Sequence, residues 1–586
     1  MDNSFRANEL PGLLAAVPDH IAVLSLDCFD TLIWRNVHMP SDVFADLDLP
    51  GGAVEARSVA EERARTLALL RGEGGTEVTL AEIYEQMMPG DHRAEARDAL
   101  LAAELAAEAR HCFAFAPVRD LIVDAKRRGL KVIVVSDTYL REPQLRALIR
   151  SVGGDSLADM IDRIFCSCEY GVSKAGGLFT HVLAALGVPP RSILHIGDNQ
   201  VADHQAPLKL GIAGLHFRQF DEEAMRRLRF EAAAAMLVDP QTRITHATYQ
   251  PQRAALALRG ADDPVSAFGH DVLGPVIHAF ADWIRGEALA MEARLCKPVK
   301  LLFLLRDGHF PGQVFRAAHP DLAGRAIDIE LSRFAATAAG LKDADAIRSY
   351  AETALMRAPL DVVARQLLFD GDEAAKLRRI GDRREVLKEV LRPQIVRRIV
   401  SRSAAFAERL LAYLRGQGIA DGDAVMLIDL GYNGSVQNGA EPILRERMGL
   451  DVAGRYLLLR EMQLSGLDKS GFLDTRHYGK RLLYALADYI ALLEQFCTLA
   501  QGSVIDYRRD GTPIRRKSSV KREQSDCRDA AQAAALAFVR SAAAGWVRPP
   551  ASDGPDARRH MAAAALARFL YLPLASEVAM LRNFHH

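Results

Sequence analysis

The run HIAVLSLDCFDTLI at residues 20–33 brings together residue types that can do chemistry. Its apolar first part has the composition of a buried strand, and Asp27 stands where that strand would end, with Thr31 close behind. In an open α/β sheet, ligands bind just beyond the carboxyl ends of the strands. A carboxylate in that position can attack a phosphorus or carbon centre, or it can hold a metal ion.

Three later segments place further polar residues within a regular pattern. Ser136 ends the apolar run VIVVS, Lys174 lies in YGVSKAGGLF, and GDNQVAD contributes Asp198 and Asp203. The first and last of these segments combine an apolar strand with a polar tip, as residues 20–33 do. Helical segments separate the strands, and this alternation predicts a parallel, doubly wound sheet.

In this order the segments resemble the four motifs of the haloacid dehalogenase (HAD) superfamily. The resemblance implies that Asp27 is a nucleophile that forms an aspartyl-phosphate, which divides one difficult step into two. It implies that Thr31 orients Asp27 or bonds the phosphoryl group, and that Ser136 holds that group. The charge of Lys174 would offset repulsion between the nucleophile and the substrate oxygens.

The same resemblance implies a Mg²⁺ site, because Mg²⁺ prefers carboxylate and water oxygens. Its protein ligands would be Asp27, Asp198, Asp203 and the backbone carbonyl of Phe29.

Phe29 departs from the motif, since phosphatases of the superfamily carry an Asp two residues after the nucleophile. That Asp gives general acid–base help worth roughly a hundred- to ten-thousand-fold in rate, which Phe cannot supply. Relatives without it include dehalogenases, phosphonatases and P-type ATPases, so its loss weakens the phosphomonoesterase interpretation without excluding catalysis. Asp30 could replace it if the loop is shaped differently, and a substrate with a good leaving group needs no acid.

The predicted fold class is α/β: a HAD-type Rossmann-like parallel sheet with a helical cap insertion, followed by a second α/β domain and a helical C-terminal segment. Composition shifts set the expected boundaries, which we list in chain order: HAD-like domain 1–220 with the insertion at 36–120, linker 221–262, second domain 263–507, polar loop 508–530 and helical segment 531–586.

The second domain carries its own polar group. Arg306 and Asp307 follow one strand in FLLRDGHF, and LIDLGYNGSVQ places four more candidates at another, namely Asp429, Asn433, Gly434 and Ser435. A glycine-containing turn before a helix exposes N–H groups that bind anions, and Arg306 adds a bidentate donor. Arg333 and Glu494 are weaker additions. Three interpretations stay open: a sugar-phosphate or sugar-nucleotide site, a phosphoribosyltransferase-like site, or turns that only terminate strands.

Bulk properties narrow the class of protein. The formal net charge of −1 over 586 residues gives no indication of a nucleic-acid partner. Seven Cys, an odd number without regular spacing, argue against a disulfide framework. We find neither a signal peptide nor a run of about 18 apolar residues, so we expect no membrane span and a cytoplasmic location. The oligomeric state is not predicted.

Over about residues 20–510 the chain also resembles a predicted HAD hydrolase group encoded among bacterial surface-polysaccharide genes, through wordings such as SLDCFDTLIWRNV, VVSDTYL, HIGDNQVAD, FLLRDGHF and LIDLGYNGSVQ. The leading hypothesis is a Mg²⁺-dependent hydrolase acting on a phosphorylated small molecule such as a sugar phosphate or nucleotide sugar. One alternative is a weakly active or regulatory phosphate-binding module. Another is a glycosyl- or phosphoribosyl-transferase whose chemistry lies in the second domain.

Overall fold

The computed structural model describes residues 4–47, 49, 52–71, 75–90, 93–259, 263–461, 464–488, 490–518, 522–547, 555–582 and 584. The chain divides into two compact units. The first comprises Met1–Asp262 and Ser541–Leu574, and the second comprises Asp263–Arg540 and Ala575–His586. The chain therefore returns to the first unit after it has built most of the second.

The described residues of the first unit form eight strands, which are β1 Ser4–Arg6, β2 Val23–Leu26, β3 Ile33–Arg35, β4 Cys112–Ala114, β5 Lys131–Ser136, β6 Arg163–Cys166, β7 Ile193–Gly197 and β8 Ala213–Arg218. Six of them form one sheet in the order β1-β8-β7-β2-β5-β6, and every pair is parallel. Strand β2 lies between β5 and β7. All its residues are buried, because helices cover both faces of a doubly wound sheet.

The helices of Met1–Asp262 are α1 Ala53–Arg71, α2 Leu80–Met87, α3 Ala94–His111, α4 Ala116–Arg127, α5 Glu142–Gly153, α6 Asp155–Met160, α7 Ser167–Tyr170, α8 Phe179–Leu186, α9 Ala206–Lys209, α10 Glu222–Val238 and α11 Arg253–Ala257. Helices α1 to α3 lie between β3 and β4, which pair as an antiparallel ribbon. The helical insertion therefore begins and ends at this two-stranded ribbon. Helix α2 begins after Thr79, whose side chain and Glu82 form the capping box that the sequence indicates.

Buried ion pairs hold the insertion together. Arg57 of α1 is fully buried, and it donates two hydrogen bonds to Glu104 of α3, at 2.7 and 2.9 Å. The Tyr84 hydroxyl of α2 donates to the same carboxylate at 2.7 Å. A buried charge needs such partners, because its desolvation otherwise costs several kcal/mol.

In the second unit, the part of the chain that the structure describes has seven strands, which are β9 Val299–Leu304, β10 Ala326–Ile329, β11 Ala424–Tyr432, β12 Asp451–Leu459, β13 Lys469–Leu473, β14 Val504–Tyr507 and β15 Pro513–Arg515. The first five form a parallel sheet in the order β10-β9-β11-β12-β13, and the last two form an antiparallel hairpin. The fold class predicted from the sequence, with two α/β domains and a helical C-terminal segment, is confirmed.

The remaining helices are α12 Pro264–Phe268, α13 Gly274–Leu295, α14 His309–Ala318, α15 Arg333–Ala339, α16 Ala344–Arg357, α17 Leu360–Gln366, α18 Gly371–Ile380, α19 Arg383–Val390, α20 Pro393–Gly416, α21 Ser435–Met448, α22 Lys480–Asp488, α23 Ile490–Cys497, α24 Arg522–Ala543, α25 Pro555–Tyr571 and α26 Ala575–Leu581. No single helix in the described part of the chain is long and apolar enough to cross a membrane, although one pair of consecutive helices passes that test when combined.

The structure differs from the expected segmentation in three places. The expected linker 221–262 contains α10 and α11, and the expected polar loop 508–530 contains β15 and the start of α24. The helical end of the chain is divided, because Ser541–Leu574 belongs to the first unit. Helix α10 has Asp221 as its N-cap and packs on α25, a partner that composition near residue 240 cannot reveal.

Candidate active site

Lys174 is the centre of the polar group at the carboxyl end of β2. Its Nζ lies 2.7 Å from Oδ1 of Asp27 and 2.5 Å from Oδ1 of Asp203. Its side chain is only 3% exposed, so these two carboxylates replace most of its hydration. Burial opposes the charged ammonium, but the two carboxylates outweigh this effect and raise the pKa of Lys174. The ammonium stays charged at every physiological pH.

Asp203 is held from several sides. His195 Nε2 lies 3.1 Å from its Oδ1, and the backbone N–H of Asn199 donates to its Oδ2 at 2.9 Å. Burial opposes its ionised form, yet Lys174 and His195 together lower the pKa of Asp203 below its ordinary value. A Cβ at Gly197 would lie 2.4 Å from the Asp203 carboxylate, so only glycine lets this side chain reach Lys174.

Asp27, Asp198 and Asp203 each place a carboxylate oxygen within 4.8 Å of the others. Burial raises the pKa of Asp27 well above its usual value, Lys174 opposes that shift, and the other two carboxylates add to it. Burial, Asp30 and Asp203 raise the pKa of Asp198 to about 7. The donors are all carboxylate oxygens, a set that fits a hard divalent cation such as Mg²⁺.

Two hydroxyl residues predicted for this site lie at the same edge of the sheet. Ser136 is the last residue of β5, the neighbour of β2, and it is buried. Thr31 is fully buried, and its Oγ1 makes no hydrogen bond. A buried hydroxyl without a partner is unusual, and a bound anion or water would satisfy it.

The side chains of Phe29 and Asp30 contact different arginines. The Phe29 ring lies under the guanidinium of Arg35, whose centre is 4.1 Å from the ring centroid. Asp30 has a φ of 59°, in the left-handed region, and its carboxylate is 3.7 Å from Arg253. Asp30 is also among the groups that raise the pKa of Asp198, so its charge acts on the carboxylate group.

Sequence reasoning gave no role to His195 or Asp137. His195 also bonds Ser25 through Nδ1 at 2.7 Å, and Asp137 accepts a hydrogen bond from the backbone N–H of Lys174 at 2.7 Å. A histidine inside the apolar run SILHIGD was the available signal for the first. Asp137 directly follows Ser136, but no pattern links it to Lys174 along the chain.

The second unit has an acidic group near the ends of its central strands. Burial raises the pKa of Asp429 in β11, and the charge of Asp307 is the next contributor. Burial and Asp307 also raise the pKa of Glu494 in α23 to about 7. Arg306 and Arg333 oppose that shift, so five of the residues singled out from the sequence act on one another electrostatically.

The turn after β11 has the geometry that the sequence indicates. Gly434 has a φ of 62° and precedes α21, which begins at Ser435. The Oδ1 atom of Asn433 is buried without a hydrogen-bond partner. The side chain of Lys469 lies 3.1 Å from the place of a Gly434 Cβ, so a basic residue also borders this turn.

Comparison with known proteins finds a family model that matches part of the chain. Residues 21–211 match the family model of haloacid dehalogenase-like hydrolases. The first unit contains a haloacid dehalogenase-like hydrolase domain. The match spans the segments that carry Asp27, Ser136, Lys174, Asp198 and Asp203, and the domain predicted from the four motifs is confirmed.

Solved structures of HAD proteins are similar to about a third of the chain. L-2-haloacid dehalogenase from Xanthobacter autotrophicus, with chloropropionic acid covalently bound, is 17% identical, and the alignment covers 35% of this chain and 81% of that one at a TM-score of 0.26. A predicted phosphoglycolate phosphatase from Haemophilus somnus is 12% identical over 33% and 84%, with a TM-score of 0.23. A HAD enzyme from Bacteroides thetaiotaomicron, in complex with magnesium and inorganic phosphate, is 16% identical over 34% and 94%, with a TM-score of 0.24. No curated protein matches the chain.

Proposed function

We propose that the HAD domain is a Mg²⁺-dependent hydrolase that acts on a phosphorylated small molecule, with Asp27 as the nucleophile. The observation that carries the proposal is the contact of Lys174 with both Asp27 and Asp203 at the carboxyl end of β2. A carboxylate held there by a buried ammonium is oriented before substrate arrives, which is what phosphoryl transfer requires.

The charges at the site support a divalent cation. Three carboxylates face one ammonium, so a phosphorylated substrate would meet excess negative charge. Asp27 and Asp198 would hold Mg²⁺ with Asp203 and the Phe29 carbonyl, as the sequence predicts. When bound, Mg²⁺ would neutralise the substrate oxygens and the charge that develops on them.

The reaction then follows from the position of Asp27. Lys174 engages Oδ1, which leaves Oδ2 to attack phosphorus. The new Oδ2–P bond forms as the bond from phosphorus to the leaving oxygen breaks, and that oxygen departs with the bonding electrons. Water next attacks the aspartyl-phosphate, which releases inorganic phosphate and restores Asp27. Ser136 and Thr31 would hold the transferring group through their hydroxyls.

Proton transfer is the step for which this domain lacks the usual residue. Phe29 has no proton to give, and its ring is engaged by Arg35. Asp30 is the nearest acid along the chain, and its left-handed backbone directs it differently from a residue in extended conformation. We therefore infer a substrate whose leaving group departs unprotonated, or one that Asp30 protonates. An Asp30→Asn variant distinguishes the two: if Asp30 is the acid, the variant should slow substrates with poor leaving groups more than acetyl phosphate, and otherwise it should affect both alike.

A phosphatase screen with Mg²⁺ tests the proposal. Wild type should release phosphate from at least one sugar phosphate or from an activated phosphate such as acetyl phosphate, and Asp27→Asn should not. Absence of turnover on every substrate, together with no beryllofluoride adduct, would contradict the proposal, whereas an adduct without turnover would favour a regulatory phosphate-binding module.

A second candidate function concerns the second unit. The turn at Gly434 before α21, which the Lys469 side chain borders, supports a site for the phosphate of a sugar phosphate or nucleotide sugar, and thus a glycosyl- or phosphoribosyl-transferase. The candidates Asp307, Asp429, Glu494, Arg306 and Arg333 act on one another electrostatically. Arg306→Ala or Asp429→Ala should then abolish transfer and leave phosphate release by the HAD domain intact. The cytoplasmic location stays a prediction from the sequence, and the role in polysaccharide biosynthesis stays a prediction from the resemblance.

A further inference from the structure

A second group of potential metal ligands lies in the first unit, apart from the HAD carboxylates. It consists of Asp239, His246 and His560, whose ligand atoms lie within 4.8 Å of one another. Asp239 directly follows α10, His246 lies in the loop beyond it, and His560 projects from α25. We call these three residues the His–Asp cluster.

Both imidazoles approach the same carboxylate oxygen. His246 Nε2 is 3.1 Å from Asp239 Oδ2, and His560 Nε2 is 3.7 Å from it. The rings are stacked, with centroids 5.7 Å apart and planes at 21°. The other oxygen, Oδ1, accepts a hydrogen bond from the backbone N–H of Gln241 at 3.0 Å, which fixes the carboxylate.

His246 presents its Nε2 atom to Asp239. The Nδ1 atom lies 3.1 Å from the Thr245 hydroxyl, and the opposite ring nitrogen lies 3.1 Å from Asp239 Oδ2. Nε2 is buried and makes no hydrogen bond, although it faces this carboxylate oxygen. In the tautomer that donates Nδ1–H to Thr245, Nε2 has a lone pair, and a cation between it and Asp239 would bind both atoms.

The spacing suits a transition-metal ion. Nitrogen and oxygen ligands bound at roughly 2.0–2.2 Å in a tetrahedron lie about 3.4 Å apart. The distances from the two Nε2 atoms to Asp239 Oδ2, 3.1 and 3.7 Å, are close to this value. Two imidazoles and one carboxylate form a donor set that suits Zn²⁺ and related first-row ions better than Mg²⁺. Thr245 would orient His246 in the manner of a residue that supports a metal ligand.

A cavity of about 400 Å³ adjoins the cluster, and both His246 and His560 line it. An ion held by three protein ligands has a fourth position open to this cavity, for water or a small ligand. The ion would also join α25 to the loop after α10, which are distant in sequence but packed in one unit. We propose that Asp239, His246 and His560 bind a Zn²⁺-class ion beside this cavity.

Zinc content of the full chain tests the proposal. Protein stripped with a chelator and dialysed against Zn²⁺ in excess Mg²⁺, which occupies sites built only from oxygens, should retain one Zn²⁺ per chain by elemental analysis. Asp239→Asn and His560→Ala should lose it, whereas His560→Cys should keep it because a thiolate also binds zinc. Co²⁺ in place of Zn²⁺ should give visible absorption bands that the first two variants lack.

Matched controls separate this site from other binding. His181→Ala removes an exposed histidine outside the cluster, and Asp198→Asn alters the HAD carboxylates. Both should keep the zinc. Circular dichroism shows whether each variant is folded, and zinc should raise the melting temperature of wild type and not that of folded His560→Ala. Absence of zinc from wild type, or its retention by His560→Ala and Asp239→Asn, would overturn the proposal.

Discussion

Lys174 is the residue on which the arrangement of the HAD site depends. Its ammonium is shared by Asp27 and Asp203, and both carboxylates lie in a buried environment. Replacing Lys174 by Met would leave those charges without their nearest cation. Because a broken buried pair typically costs 3–5 kcal/mol, we expect about that loss of stability and loss of any phosphatase activity. Thermal unfolding and phosphate release measure the two effects, and wild-type turnover by Lys174→Met would contradict the role proposed for it.

Gly197 offers a purely steric test of the same site. A Cβ there would lie 2.4 Å from the Asp203 carboxylate, so Gly197→Ala must displace Asp203 from Lys174. We expect a loss of roughly 1–3 kcal/mol, as for other overpacked positions, measured by urea unfolding. Gly286→Ala is the control, since Gly286 lies in α13 with no atom within 4 Å of the added Cβ. That change should be neutral or stabilising by up to about 1 kcal/mol.

At Glu494 we expect the stability of the second unit to depend on pH. Its pKa in the folded state is raised to about 7 by burial and Asp307. An acid with a raised folded-state pKa binds more protons in the folded state, so stability should fall as pH rises from about 4.5 to 7 and then level off. Partial solvent exposure limits the change to about 2 kcal/mol. Urea unfolding between pH 4.5 and 8 should show a smaller decline for Glu494→Gln, and an equal decline would contradict this assignment.

At the scale of elements, the helical insertion depends on a buried polar group. Arg57, Glu104 and Tyr84 connect α1, α3 and α2. Glu104→Ala would leave Arg57 buried without its bidentate partner, at a cost of about 3–5 kcal/mol. Asp120→Ala removes an exposed partner of Arg119 and should change stability by less than about 1 kcal/mol. Thermal unfolding of the two variants should therefore differ clearly.

At the scale of the whole molecule, the first unit is completed by residues from the end of the chain. Helix α25 packs on α10, although residues 263–540 of the second unit lie between them in sequence. A fragment of residues 1–262 should therefore be less stable than the first unit within the full chain. A peptide covering 541–574 should raise its melting temperature, because the peptide binds only the folded fragment. A fragment that melts at the same temperature with and without the peptide would contradict this account.

Local patterns predicted an α/β domain in each half of the chain. Strand composition and polar tips indicated a parallel sheet around Asp27, and the Thr79 capping box marked the start of α2. These features are encoded in neighbouring residues. The return of α25 to the first unit is not, because it depends on which surface of α10 lacks a nearer partner. Sequence position therefore misassigned the segment 541–574.

The candidate sites follow the same distinction. The sequence places Asp27, Lys174, Asp198 and Asp203 in recognisable motifs, and the structure brings the three carboxylates together. The His–Asp cluster has no motif, because its ligands come from a helix end, a loop and a helix more than 300 residues further along the chain. Only tertiary packing places these side chains near one another.

The most direct test of the central claim is to identify the phosphorylated residue. The protein is mixed with acetyl phosphate and Mg²⁺ and then quenched in acid. Borohydride is added next, and it reduces an aspartyl-phosphate to homoserine. Tandem mass spectrometry should locate homoserine at position 27 in wild type, and Asp27→Asn should show none. Phosphate release by wild type without modification at Asp27, or with modification at another aspartate, would contradict the assignment of Asp27 as the nucleophile.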